Sequence, residues 1–104
     1  MKCNSYELFF ETFSNRTRMK IIQSLISGPK SVSDICKIVD EEQSKVSHNL
    51  KKLMECHFLD VKRYGKKRVY SLNKDTVIPI LKLVEKHVGK HCQQECHKNE
   101  RISG

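Results

Sequence analysis

The sequence predicts a mainly helical domain with one small β-hairpin, in the order α-α-α-α-β-β-α. Two observations carry this. Apolar residues recur three and four apart in separate stretches, the period of an amphipathic helix. Near the C-terminal third, LDVKRYGKKRVYSL (residues 59–72) alternates at period two and is interrupted by Gly65, the pattern of two strands and a turn. A chain of 104 residues suits one small domain, with a modest core that a dimer interface would enlarge.

Each element follows from its residues. Tyr6, Phe9, Phe10 and Phe13 fall at i, i+3, i+4 and i+7, one face of a first helix. Asn15 suits the N-cap of a second helix over 16–27, with Ile21, Ile22, Leu25 and Ile26 inward. Gly28-Pro29 ends it, because glycine tolerates positive φ and proline cannot continue the hydrogen-bond ladder. Ser31 and Asp34 form a capping box for a short helix over 32–39, which buries Val32, Ile35, Cys36 and Val39. Asp40-Glu41-Glu42 then turns tightly into a helix over 43–57.

That helix, QSKVSHNLKKL at 43–53, places Val46, Leu50 and Leu53 on one side. It leaves Gln43, Ser44, Lys45, Ser47, His48, Asn49, Lys51 and Lys52 for the other. Two short helices joined by about three residues fit a helix-turn-helix, whose second helix reads bases. In the hairpin, Leu59, Val61 and Arg63 alternate with Asp60, Lys62 and Tyr64, and Tyr64 and Tyr70 are expected to pack within it. The last helix begins near Thr76, with Pro79 in its first turn, where a missing N–H costs little. Val77, Leu81, Val84 and Val88 make one stripe, and Ile80, Leu83, His87 and His91 an adjacent one. So wide an apolar arc predicts packing both on its own domain and on a second copy of the chain.

The net charge of +8, with a pI of about 9.4, suits a polyanion: nucleic acid or an anionic membrane surface. Clustering favours nucleic acid, since Lys62 to Arg68 holds five basic residues in seven. No stretch approaches the ~18 apolar residues of a membrane span. The N-terminal MKCNSYELFFETF lacks the apolar core and cleavage site of a signal peptide, so a cytoplasmic protein with no membrane partner is expected. There the five cysteines (Cys3, Cys36, Cys56, Cys92, Cys96) are expected as reduced thiols, with Cys36 and Cys56 as packing residues. No glycine-rich phosphate loop is present, and so small a domain has little room for a catalytic pocket, which argues against an enzyme.

Gln43, Ser44, Lys45, Ser47 and His48 are the candidates for base or phosphate contact. Glutamine pairs with adenine N6/N7, lysine reaches guanine O6/N7 or phosphate, and serine serves either role. Lys51, Lys52, Lys62, Arg63, Lys66, Lys67 and Arg68 are assigned to phosphates. For any one of these residues a solvated surface role is the simpler reading. A polar helix followed at once by a basic hairpin favours DNA contact for the set.

This order of elements resembles the ArsR-type winged-helix repressors, a family of small dimeric, arsenic- and metal-sensing transcription factors. The likeness covers about residues 5–92 and is carried by NRTRMKIIQSL (15–25), SVSDI (31–35), QSKVSHNLKKL (43–53) and KRYGKKRVYSL (62–72). It implies a winged-helix DNA-binding and dimerisation domain over 1–92 and a Cys/His-containing tail over 93–104. It also implies a homodimer built from the first and last helices. Helix 43–53 would enter successive major grooves of an inverted-repeat operator in double-stranded DNA, with the hairpins as wings and an inducer acting from a separate site. One departure is the turn, where Asp40-Glu41-Glu42 stands in place of the family's usual Gly, an apolar residue and Ser or Thr. Three acids there cost some attraction to phosphate.

The segment HVGKHCQQECH, residues 87–97, holds five potential ligands: His87, His91, Cys92, Cys96 and His97. His87/His91 and Cys92/Cys96 are i, i+4 pairs that can each share a helix face. Imidazole with thiolate suits zinc or copper, and clustered thiolates suit soft metals or trivalent arsenic. The plainer reading makes His87 an interface residue and the rest a frayed tail. The family's cysteine-pair site would fall on Ser31 and Ser33 and is absent; its last-helix site is not supplied by Asp75 and Val77, although His87 and His91 lie near its second ligand pair. Oxidation of Cys92 and Cys96 to a disulfide is the alternative signal, and a regulator with no inducer is a further one.

Overall fold

Local capping chemistry sets the helix boundaries. In the computed structural model, which describes residues 6–92 and side chains as far as His91, helix α1 (Tyr6–Ser14) is separated from α2 (Arg16–Ser24) by Asn15 alone. The Asn15 side-chain oxygen accepts the Arg18 N–H at 3.0 Å, as its N-cap role requires. Helix α2 stops at Ser24 rather than 27. Leu25 and Ile26 donate to carbonyls three residues back, and this tighter turning leads into Gly28 at φ 143°.

Helix α3 (Val32–Val39) opens on Ser31, whose hydroxyl accepts the Asp34 N–H at 3.3 Å. Its last turn closes on Asp40 in the left-handed region, φ 58°, with the Asp40 N–H on the Cys36 carbonyl at 2.8 Å. Helix α4 (Gln43–Glu55) ends in a Schellman motif: His57 N–H donates to Met54 at 3.0 Å and Phe58 N–H to Leu53 at 2.9 Å. His57, at φ 63°, occupies the position where glycine is usual.

The hairpin pairs strand β2 (Leu59–Tyr64) with the strand Lys67–Leu72, in register Leu59↔Leu72 through Tyr64↔Lys67. Its two-residue loop, Gly65-Lys66, needs positive φ at the first position, and Gly65 supplies it at 65°. A further strand, absent from the sequence reading, is Lys30–Ser31, which pairs antiparallel with Tyr70 and Val69. In chain order these are β1 (Lys30–Ser31), β2 and β3 (Lys67–Leu72), and the sheet order is β1-β3-β2. Two residues are too few to show a period, so only the pairing reveals β1.

The chain divides into two compact units, residues 1–73 and 74–104. The core of the first holds Ile21, Ile22 and Leu25 from α2 and its cap, Ile35 and Val39 from α3, and Val46, Leu50 and Leu53 from α4. Leu59, Tyr70 and Leu72 of the hairpin are also buried. Phe58, 1% exposed, is its largest fully buried side chain and the anvil for α1: the Phe9 and Phe13 rings lie 5.2 and 5.0 Å from it. The aromatic stripe of α1 therefore divides, with Phe9 and Phe13 turned to Phe58 and Tyr6 and Phe10 exposed.

The second unit contains α5 (Val77–His87), preceded by Thr76 and carrying Pro79 in its first turn, and a π-helical turn over Val88–Cys92. Val77 is buried, whereas Leu83, Val84 and Val88 are exposed. Among the described residues no helix is long and apolar enough to cross a membrane.

Candidate nucleic-acid interface

Helix α4 splits cleanly into two sides. Val46, Leu50 and Leu53 are buried, and Gln43, Ser44, Lys45, Ser47, His48, Lys51 and Lys52 are all exposed. The expected polar face is therefore free to meet a ligand, with one correction. Asn49, expected on it, is 6% exposed and points inward. Its amide donates to the Lys45 carbonyl at 2.9 Å, and its oxygen accepts Arg18 Nε at 3.0 Å. A buried amide needs partners, and these two satisfy it while tying α4 to α2.

The turn from α3 to α4 is more than a connection. Asp40 takes the left-handed conformation that aspartate tolerates better than most residues. Glu42 supplies the N-cap backbone of α4 without a side-chain cap, its carbonyl accepting the Val46 N–H at 3.0 Å. Glu41 lies between two lysines, 3.2 Å from Lys45 Nζ and 3.6 Å from Lys20 Nζ. The hydrogen bond from Lys45, with the charges of Lys45 and Lys20, outweighs partial desolvation and holds the Glu41 carboxyl below the usual carboxylate range. The i, i+4 spacing of Glu41 and Lys45 was a readable signal. Lys20 and Arg18, on a preceding helix, were not.

The wing contrasts with this. Lys62 and Arg63 on β2, Lys66 in the loop, and Lys67 and Arg68 on β3 are all exposed, and among the described residues none of the five is ion-paired. Arg63 faces Arg68 directly across the ladder. Like charges placed opposite one another weaken a hairpin, so the arrangement favours an anion from outside. Tyr70 is buried in line with expectation, but Tyr64 is 61% exposed at the wing tip and does not pack within the hairpin. Only Leu59 of β2 is buried; the strand lies at the edge of the sheet, and its other five residues are exposed.

The candidate ligands of the last helix are only partly brought together. The His87 and His91 rings are 4.9 Å apart and both are exposed. The backbone of Cys92 closes the π-helical turn, while Cys96 and His97, like Cys3, lie outside the described residues. Among the described residues no group of three or more His, Cys, Asp or Glu could hold a metal ion. Cys36 is a half-buried free thiol, as expected. Cys56, at the end of α4, corrects the expectation of reduced thiols throughout: it is disulfide-bonded.

Residues 15–61, from the cap of α2 into β2, match the model of the family described as "Bacterial regulatory protein, arsR family". Over this segment the chain matches the ArsR family. A probable mercury resistance operon repressor from Streptomyces lividans is 28% identical over 75 residues, covering 72% of this chain and 60% of that protein. The HTH-type transcriptional regulator NmtR from Mycobacterium tuberculosis is 32% identical over 71 residues, covering 68% and 59%. The chain thus spans about three fifths of the length of these curated relatives. A homodimeric winged helix-turn-helix DNA-binding domain from Mycobacterium bovis, a possible ArsR-family regulator, superposes with a TM-score of 0.75 at 21% identity, covering 82% of this chain and 79% of that one. That likeness establishes the winged-helix fold. The family and its relatives are transcriptional regulators rather than enzymes.

Proposed function

We propose that this protein is a cytoplasmic, homodimeric repressor that binds an inverted repeat in double-stranded DNA. Gln43, Ser44, Lys45, Ser47 and His48 enter the major groove, and Lys51, Lys52, Lys62, Arg63, Lys66, Lys67 and Arg68 hold phosphates. The observation that carries this reading is a wing of five exposed cations, none ion-paired among the described residues, set directly after the exposed polar face of α4. Exposed apolar residues on α1 (Tyr6, Phe10) and on α5 (Leu83, Val84) support a second copy as partner. Salt titration of duplex binding tests the reading. If about six phosphates are neutralised per dimer, log K falls against log salt with a slope near −5, and a slope near zero sinks it.

Release by a metal or metalloid is supported by the His87–His91 pair and by the mercury-resistance relative. Cys92, Cys96 and His97 would complete a zinc, copper or arsenic site. Metal titration of the reduced protein, read by thiolate charge-transfer absorption and by DNA affinity, tests it; a Cys92/Cys96 double serine variant with wild-type response removes the tail from this role. A thiol-directed signal is favoured by one observation of its own, the disulfide at Cys56. DNA affinity measured with and without dithiothreitol, in wild type and in Cys56→Ser, decides between the two.

A further inference from the structure

We infer that Glu41 determines specificity by holding Lys45 as a base-reading donor and withholding it from phosphate; this rests on the reading that α4 meets duplex DNA. Lys45 is the third residue of α4, exposed, at the end of the helix that would lead into a groove. An unrestrained lysine there is a mobile point charge that settles on whichever phosphate is nearest, whatever the sequence. This one is restrained at its ammonium, on a helix backbone that is itself tied down. Its ammonium is 3.2 Å from a Glu41 oxygen, and its carbonyl accepts the amide of the buried Asn49, which Arg18 fixes in turn.

Glu41 is well placed to impose the restraint. It is 22% exposed, at the turn between α3 and α4, and its other oxygen meets Lys20 of α2 at 3.6 Å. The two lysines make the carboxylate a fixed part of the helix-turn-helix rather than a swinging side chain. An ammonium has three donors, and Glu41 occupies one. The remaining two can reach acceptors on a base edge, such as guanine O6 and N7, from a defined position. Meanwhile the carboxylate repels any phosphate that approaches Lys45 or Lys20. Non-specific complexes, which depend on phosphate attraction alone, lose more by this than a complex that also makes base contacts.

The test compares two probes of about three helical turns: a duplex of mixed sequence, and the duplex that wild-type protein enriches from a random pool. Glu41→Gln frees Lys45, so mixed-sequence affinity rises about fivefold and the salt slope steepens by about two per dimer, one phosphate per protomer. The ratio of enriched to mixed affinity narrows. Adding Lys45→Gln to that variant removes the gain in slope. Lys45→Gln alone, which leaves the turn intact, lowers the ratio with little change in slope. An unchanged slope and ratio in folded Glu41→Gln overturns the inference, as does a slope flattened by about two in Lys45→Gln alone, the mark of an ordinary phosphate contact. Wild-type protein that binds neither duplex overturns the underlying DNA reading, a result distinct from both.

Discussion

Helix α4 and the wing are both basic and adjacent in sequence, yet the fold treats Lys45, near the start of the helix, differently from the cations of the wing. On α4, Lys45 is paired to Glu41, and Asn49 is drawn inward to Arg18. On the wing, none of the five cations is ion-paired among the described residues, and two arginines face each other across the ladder. The difference teaches how one small domain separates two tasks. A restrained donor on a rigid helix can discriminate among bases, because its position is set before the DNA arrives. Exposed cations on a hairpin supply attraction that depends on phosphate spacing alone.

Charge reversal in the wing should break the contrast most severely. Lys66, Lys67 and Arg68 changed together to Glu should lower affinity by at least about a hundredfold on every duplex, measured at fixed salt. Next in size is Asn49→Ala, which removes the partner of the half-buried Arg18 Nε and loosens α4 from α2. Denaturant unfolding should register a loss of about 1–3 kcal/mol, with enriched-duplex affinity falling more than mixed-sequence affinity. A smaller effect of opposite sign is expected for His57→Gly, since glycine adopts φ 63° without steric cost. Stability should rise by about 0.5–1 kcal/mol, visible as a few degrees in the thermal midpoint, with DNA binding unchanged.

The smallest effect concerns pH. The Glu41 carboxyl is held below the usual range by Lys45 and Lys20, so its ion pairs contribute stability above the unfolded-state value and lose it as pH falls through the depressed one. The difference in stability between wild type and Glu41→Gln should be flat from neutral pH down to about 5 and shrink only below that. A difference that changes between pH 6 and 8 would assign it to some other group.

What could be read from the sequence was what local chemistry decides. The Asn15 and Ser31 caps, the Val46/Leu50/Leu53 stripe and the Gly65 turn each depend on residues no more than seven positions apart, and each stands as expected. What could not be read depends on distant partners. The strand Lys30–Ser31 exists only because β3 lies beside it. Asn49 turns inward because Arg18, thirty-one positions away, meets it there. Tyr64 stays outside because, among the described residues, no further strand pairs beyond the edge strand β2. Among the candidate site residues, the exposure of the α4 face and of the wing followed from period and polarity. The coupling of Glu41 to Lys20, on a preceding helix, required the fold.

The most direct test of the division between helix and wing is the specificity ratio, enriched over mixed-sequence affinity, in two variants measured side by side. The wing reversal at Lys66, Lys67 and Arg68 should lower both affinities together and leave the ratio within about twofold of wild type. Gln43→Ala should leave mixed-sequence affinity nearly intact and reduce the ratio by about tenfold, the worth of one lost base contact. A ratio that collapses in the wing variant and survives in Gln43→Ala would contradict the account.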